Sequence, residues 1–153
     1  MSVYSIPVGS VVGDLSNFEH QYVLIVNIAD GCGFAPQLQD LEQLHRDSNI
    51  PCTVVAFPSN QFNQQLRQND DMRQWCTVEQ RLSFPVESQV NVNGADTHAL
   101  FAYLKDKARG ALGQKHIIWN YTKFLIYPNE SAIIRFSPKT SIAKIQALIT
   151  GLS

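Results

Sequence analysis

The chain has 153 residues, of which 44% are hydrophobic and 16% charged, and its formal net charge is -1. That length suits a single domain spanning residues 1–153, with a core that needs no disulfide staples. The lysines and arginines are scattered, so nucleic acid is not an expected partner, and no apolar stretch approaches the roughly 20 residues of a membrane span. The N-terminal "MSVYSIPVGS" has neither a charged leader region nor a long apolar core, so no signal peptide is expected and a cytoplasmic location is the default.

Tyr22 to Ile28, "YVLIVNI", is an unbroken apolar run of strand length, the pattern of a strand covered on both faces. Pro36 suits a first helical turn, and Leu38, Leu41 and Leu44 then form one apolar helical stripe. "CTVVAF", Cys52 to Phe57, reads as a second buried strand ended by Pro58, which completes a βαβ unit with a parallel pair. Asn69 or Asp70 is positioned to cap a short helix through "DMRQWC". Asn93-Gly94 marks a turn, and "THALFAYLKDK" predicts a helix with Leu100, Phe101 and Leu104 inward. "TKFLIYPNESAIIRF" predicts a hairpin turning at Pro128-Asn129, and "TSIAKIQALITGL" a closing helix with Ile142, Ile145 and Ile149 or Leu148 on its inner face. The predicted class is α/β with a mixed sheet flanked by helices. This order resembles the thioredoxin-like arrangement, and flavodoxin-like variants fit the same pattern.

Cys32, Cys52 and Cys76 are too few, and odd in number, for a disulfide scaffold, and no pair of cysteines or histidines has the spacing of a zinc site. No metal or other cofactor is expected. His20, His45, His98 and His116 stand apart from one another and read as structural or solvent-facing. Cys52 lies in a buried strand and reads as a small core residue. Cys32, in "ADGCGFAP", sits at a strand-to-helix junction. There, backbone N–H groups and the helix dipole favour a thiolate, and Gly31 and Gly33 would let backbone approach a small substrate. The local pattern is equally that of a plain Gly-Cys-Gly turn.

Three motifs decide between these readings. "LIVNIADGCGFAPQ" resembles the peroxidatic segment of the glutathione peroxidase family, "AFPSNQFNQQ" its second motif and "WNYTKFL" its third, in the same order. The resemblance runs from about Tyr22 to Phe136 and implies a thioredoxin-like peroxidase domain. It also implies a catalytic set of Cys32 as peroxidatic cysteine, with Gln65, Trp119 and Asn120 as N–H donors around the sulfur and the departing oxygen. "DDMRQWCTVEQRLSFPV" resembles the resolving-cysteine segment of the thioredoxin-dependent branch, which implies that Cys76 condenses with the oxidised Cys32 after its short helix rearranges. The short connection between "FAYLK" and "WNYTKF" resembles the monomeric branch. The implied partners are a hydroperoxide and thioredoxin, with glutathione as the alternative reductant.

The chain departs from the family pattern at four places. Ser59 stands where a cysteine is usual, Asp30 where a serine is usual, Ala35 where a threonine is usual, and "LRQ" follows Gln65 in place of Glu-Pro-Gly. A carboxylate at Asp30 is expected to oppose a thiolate nearby, and Ala35 to remove a helix cap. Two other readings use the same residues: a peroxide sensor that passes oxidation to a partner protein, and a non-catalytic thioredoxin-like interaction module.

Overall fold

The computed structural model of the protein describes residues 1–151. A four-stranded sheet has the order β2-β1-β3-β4, built from β1 (Tyr22–Ile28), β2 (Cys52–Pro58), β3 (Lys123–Ile126) and β4 (Ile133–Phe136). β1 and β2 run parallel, joined by helix α1 (Gln37–Arg46), while β3 is antiparallel to both β1 and β4. The antiparallel β3 beside β1 rules out the all-parallel, flavodoxin-like alternative. A single turn of 3-10 helix, Pro128–Glu130, closes the hairpin at the predicted place, with Asn129 at φ 57°.

The unbroken apolar strands are explained by two cores, one on each face of the sheet. Leu24, Val26 and Ile28 of β1 alternate with Val23 and Ile25, as a period of two requires. The first set packs with Leu38, Leu41 and Leu44 of α1 and with Ile142 and Ile145 of the closing helix α4 (Ile142–Thr150). The second packs with Leu100, Phe101 and Leu104 of α3 (Ala99–Lys107) and with Val3, Ile6, Val8 and Leu15 of the N-terminal segment. On α4 it is Ile149 that joins the core; Leu148 is exposed. No helix among the described residues is long and apolar enough to cross a membrane.

The predicted helix through "DMRQWC" forms in two parts. Helix α2 covers Asn69–Gln74, and a π turn over Trp75–Glu79 follows, closed by the bond from Gln80 N–H to the Trp75 carbonyl at 2.9 Å. Neither Asn69 nor Asp70 caps it: Gln68 occupies that position without a side-chain bond. The Asn69 side-chain oxygen instead accepts from Gln89 N–H at 3.0 Å, taken up by the returning chain.

Candidate active site

The predicted site residues gather at the carboxyl ends of the parallel pair. After β1 the chain runs through Ala29-Asp30-Gly31-Cys32 into α1, after β2 it runs through Ser59 to Gln65, and Trp119-Asn120-Tyr121 leads into β3. In open α/β sheets this is where ligand-binding loops cluster. Two bonds tie the three segments together: Tyr121 N–H to the Asn27 carbonyl at 2.6 Å, and Gly31 N–H to the Gln64 carbonyl at 2.8 Å.

Cys32 is 4% exposed and unpaired. Its sulfur accepts from the Phe34 N–H at 3.5 Å, and Ala35 N–H bonds back to the Cys32 carbonyl at 3.0 Å. The sulfur therefore sits on a turn that feeds α1, whose cap position is Pro36. This turn presents a backbone N–H to the sulfur without help from a side chain at Ala35.

Gly31 and Gly33 differ in purpose. A Cβ on Gly31 would lie 2.5 Å from the Gln64 carbonyl oxygen, whereas one on Gly33 would meet nothing within 4 Å. The close approach that Gly31 permits is thus to the protein's own Gln64 loop.

Gln65 is nearly buried, and both ends of its amide are in use. Its Oε1 accepts from Asp30 N–H at 3.1 Å, and its Nε2 donates to the Arg67 carbonyl at 2.7 Å. Among the described residues no side-chain amide donates to the Cys32 sulfur. One Nε2 hydrogen of Gln65 is left over after these bonds.

Trp119 packs against the core cluster that contains Cys32, with its ring centroid 5.4 Å from that of Phe62. Its carbonyl accepts from Asn27 Nδ2 at 3.3 Å and from Thr122 Oγ1 at 2.9 Å, which fixes the turn. Asn120, fully buried, has no partner among the described residues for either Oδ1 or Nδ2. A buried amide left unpaired costs roughly 1–3 kcal/mol, so its retention here needs a reason other than folding.

Cys76 lies in the π turn, fully buried, in the same cluster as Cys32, and it is not disulfide-bonded. Burial, reinforced by the Asp30 carboxylate, pushes its thiol up to about 12, against a weaker opposing pull from Arg67. Cys52 is likewise held at about 12 by burial in β2, consistent with a structural residue. Tyr121 fills the space beneath: its ring is fully buried, its hydroxyl donates to the Ala29 carbonyl at 3.2 Å, and its backbone takes φ 64°. Burial, with the charges of Cys32 and Cys76 next in effect, lifts its phenol well above the usual value.

Asp30 does not face the Cys32 sulfur as a free charge. Its carboxylate, with no side-chain exposure, accepts from Leu66 N–H at 2.6 Å, from Arg67 N–H at 3.1 Å and from the Arg67 guanidinium at 2.8 Å. Sequence reasoning missed Asn27, Arg67 and Tyr121. A polar residue in the otherwise apolar "YVLIVNI", and two departures of opposite charge at Asp30 and Arg67, were the signals available.

A family model described as glutathione peroxidase matches residues 3–105. The glutathione peroxidase homolog BsaA of Bacillus subtilis is 36% identical over 99% of this chain and 98% of its own length. The glutathione peroxidase-like peroxiredoxin 2 of Saccharomyces cerevisiae is 36% identical over 85% of this chain and 82% of its own. Among solved structures, the crystal structure of Trgpx in apo form superposes with a TM-score of 0.76 at 32% identity, covering 99% of this chain and 95% of that one. A thioredoxin family thiol:disulfide interchange protein from Chlorobium tepidum, at 14% identity and a TM-score of 0.63, covers 99% of this chain and 95% of its own. The fold is therefore thioredoxin-like.

Proposed function

This chain belongs to the glutathione peroxidase family, and on that premise we propose that it is a thiol peroxidase in which Cys32 reduces hydrogen peroxide or an organic hydroperoxide and Cys76 resolves the product. The Cys32 thiolate attacks one peroxide oxygen. An S–O bond forms as the O–O bond breaks, and the leaving oxygen takes up a proton to depart as water or an alcohol. Cys32 is left as a sulfenic acid. The Cys76 thiol, freed from its burial, gives up its proton as its sulfur attacks that sulfur, and the disulfide forms as the sulfenic oxygen takes up a proton and leaves as water. A dithiol reductant, thioredoxin in this reading, restores both thiols and carries away the two electrons.

What supports this above all is the orphaned amide of Asn120. Its chain neighbours Trp119 and Tyr121 both pack with the Cys32 cluster, and in this reading its free amide donates where charge develops during attack. Trp119 adds an indole N–H and Gln65 its remaining amide hydrogen. Cys76 is not bonded to Cys32 in this conformation and is buried in an irregular turn, so the π turn rearranges before the disulfide forms. Three cysteines, too few and odd in number for a disulfide scaffold, fit a reducing, cytoplasmic setting, and the short segment before Trp119 fits a monomer.

The test compares Cys32→Ser and Cys76→Ser with the parent protein in a coupled assay, supplying either thioredoxin with its reductase or glutathione with its reductase. Cys32→Ser is expected to consume no peroxide. Cys76→Ser is expected to form one equivalent of sulfenic acid and then stop. Normal turnover by Cys32→Ser refutes the proposal, and faster turnover with glutathione than with thioredoxin refutes its choice of reductant.

A further inference from the structure

We propose that Arg67 is a positioning residue that latches the Cys76 turn to the Cys32 loop, and that this latch sets the rate of disulfide formation. The inference rests on Cys76 being the resolving cysteine. The Arg67 guanidinium makes two contacts that bear on the proposal. One is the 2.8 Å ion pair with Asp30, two residues before Cys32. The other is with Trp75, the residue before Cys76, where the guanidinium carbon lies 4.8 Å from the ring centroid.

Asp30 is itself firmly seated. Its carboxylate also holds Leu66 N–H and Arg67 N–H, and its own N–H is held by Gln65 Oε1. The Cys32 loop, the Gln65 loop and the Cys76 turn are thereby joined through Gln65, which is in the catalytic set, and through Asp30, Arg67 and Trp75, which are not. Asp30 and Arg67 are two of the departures from the family pattern, one beside Cys32 and one beside Gln65, and together they form a neutral pair.

The element held by the latch is an irregular helical segment. Residues Trp75–Glu79 form a π turn at the end of the short α2, and Val78 within it is 63% exposed. When the Cys76 sulfur advances on the Cys32 sulfenic acid, forming S–S and releasing water, Trp75 travels with its neighbour and must leave the guanidinium. The stacking contact exists only before that movement, so it slows the movement. A partly desolvated guanidinium–indole contact is equivalent to a factor of roughly twofold to thirtyfold in an equilibrium or a rate.

The experiment mixes fully reduced protein with one equivalent of hydrogen peroxide. The reaction is quenched at intervals, and sulfenic acid and Cys32–Cys76 disulfide are separated by mass spectrometry. Arg67→Ala and Trp75→Leu are each expected to speed the second step by roughly twofold to thirtyfold. Arg67→Lys restores part of the slower rate, and the double variant is no faster than either single one. Wild-type rates in both single variants, equal effects of Ala and Lys at position 67, or multiplying effects in the double variant overturn the latch. If the parent protein forms no Cys32–Cys76 disulfide at all, the resolving role fails first and the latch with it. Trp75→Leu tests the contact from its other side should Arg67→Ala fold poorly.

Discussion

Gly31→Ala isolates how tightly the Cys32 loop is bound to the Gln64 loop. The added Cβ would stand 2.5 Å from the Gln64 carbonyl oxygen and 3.3 Å from Leu66 Cγ. The first of these contacts is with backbone, which cannot swing aside as a side-chain tip can. To reach ordinary contact at 3.4 Å the carbonyl must retreat by about 0.9 Å, and the 2.8 Å bond from Gly31 N–H to that same oxygen stretches with it. Overpacking of this kind costs about 1–3 kcal/mol and a weakened buried hydrogen bond about 1 kcal/mol, so a loss of about 2–4 kcal/mol is expected. Gly33→Ala is the matched control: nothing lies within 4 Å of its added methyl, and the change is expected to stay within about 0.5 kcal/mol. Urea unfolding followed by circular dichroism measures both. Equal midpoints for the two variants would show that the Gly31–Gln64 approach is not rigid and refute the reasoning.

Asn120→Leu removes an amide that has no partner among the described residues, so the urea midpoint is expected to hold or rise, while peroxide consumption falls by about a hundredfold or more. A variant that is both destabilised and fully active contradicts this. Lys123 gives a pH prediction. It is fully buried, its ammonium donates to the carbonyls of Ser137 (3.3 Å), Pro138 (2.9 Å) and Thr140 (2.9 Å), and burial lowers it from 10.5 to about 8. Between those two pH values the unfolded chain keeps the proton and the folded one releases it, so stability rises with pH across that window. The gain is at most about 3 kcal/mol, because the three carbonyls favour the charged form. Comparing urea unfolding of the parent and Lys123→Met at pH 7.5 and 10.5 checks this, and parallel pH profiles refute it.

The sheet was legible because its strands are buried on both faces and therefore read as apolar runs; β1 and β2 begin at the predicted residues. The hairpin followed from its Pro-Asn turn, and α1, α3 and α4 from their three-to-four spacing. The π turn was not legible, since "DMRQWCTVE" carries no local mark of an i-to-i+5 bond. The cap at Asn69 failed because the residue that claims its oxygen, Gln89, lies 20 positions away. At the site the sequence pointed to residues but not to what their side chains bind. Asp30 was expected to act on Cys32 as a repelling charge. That expectation considered only near neighbours in sequence, and the guanidinium that pairs with Asp30 is 37 positions on.

Cys32, Cys52, Cys76 and Met72 all belong to the core on the α1/α4 face of the sheet, and the core on the α3 face contains no sulfur. The sheet thus divides the buried core into an oxidisable layer and an inert one; the exposed Met1 thioether belongs to neither. A sulfur overoxidised by excess peroxide swells one layer only, and the other continues to bind the N-terminal segment and α3 to the same strands. The inert layer is also where a spectroscopic label or a stabilising substitution can be placed so that it monitors folding without responding to the redox state of the thiols.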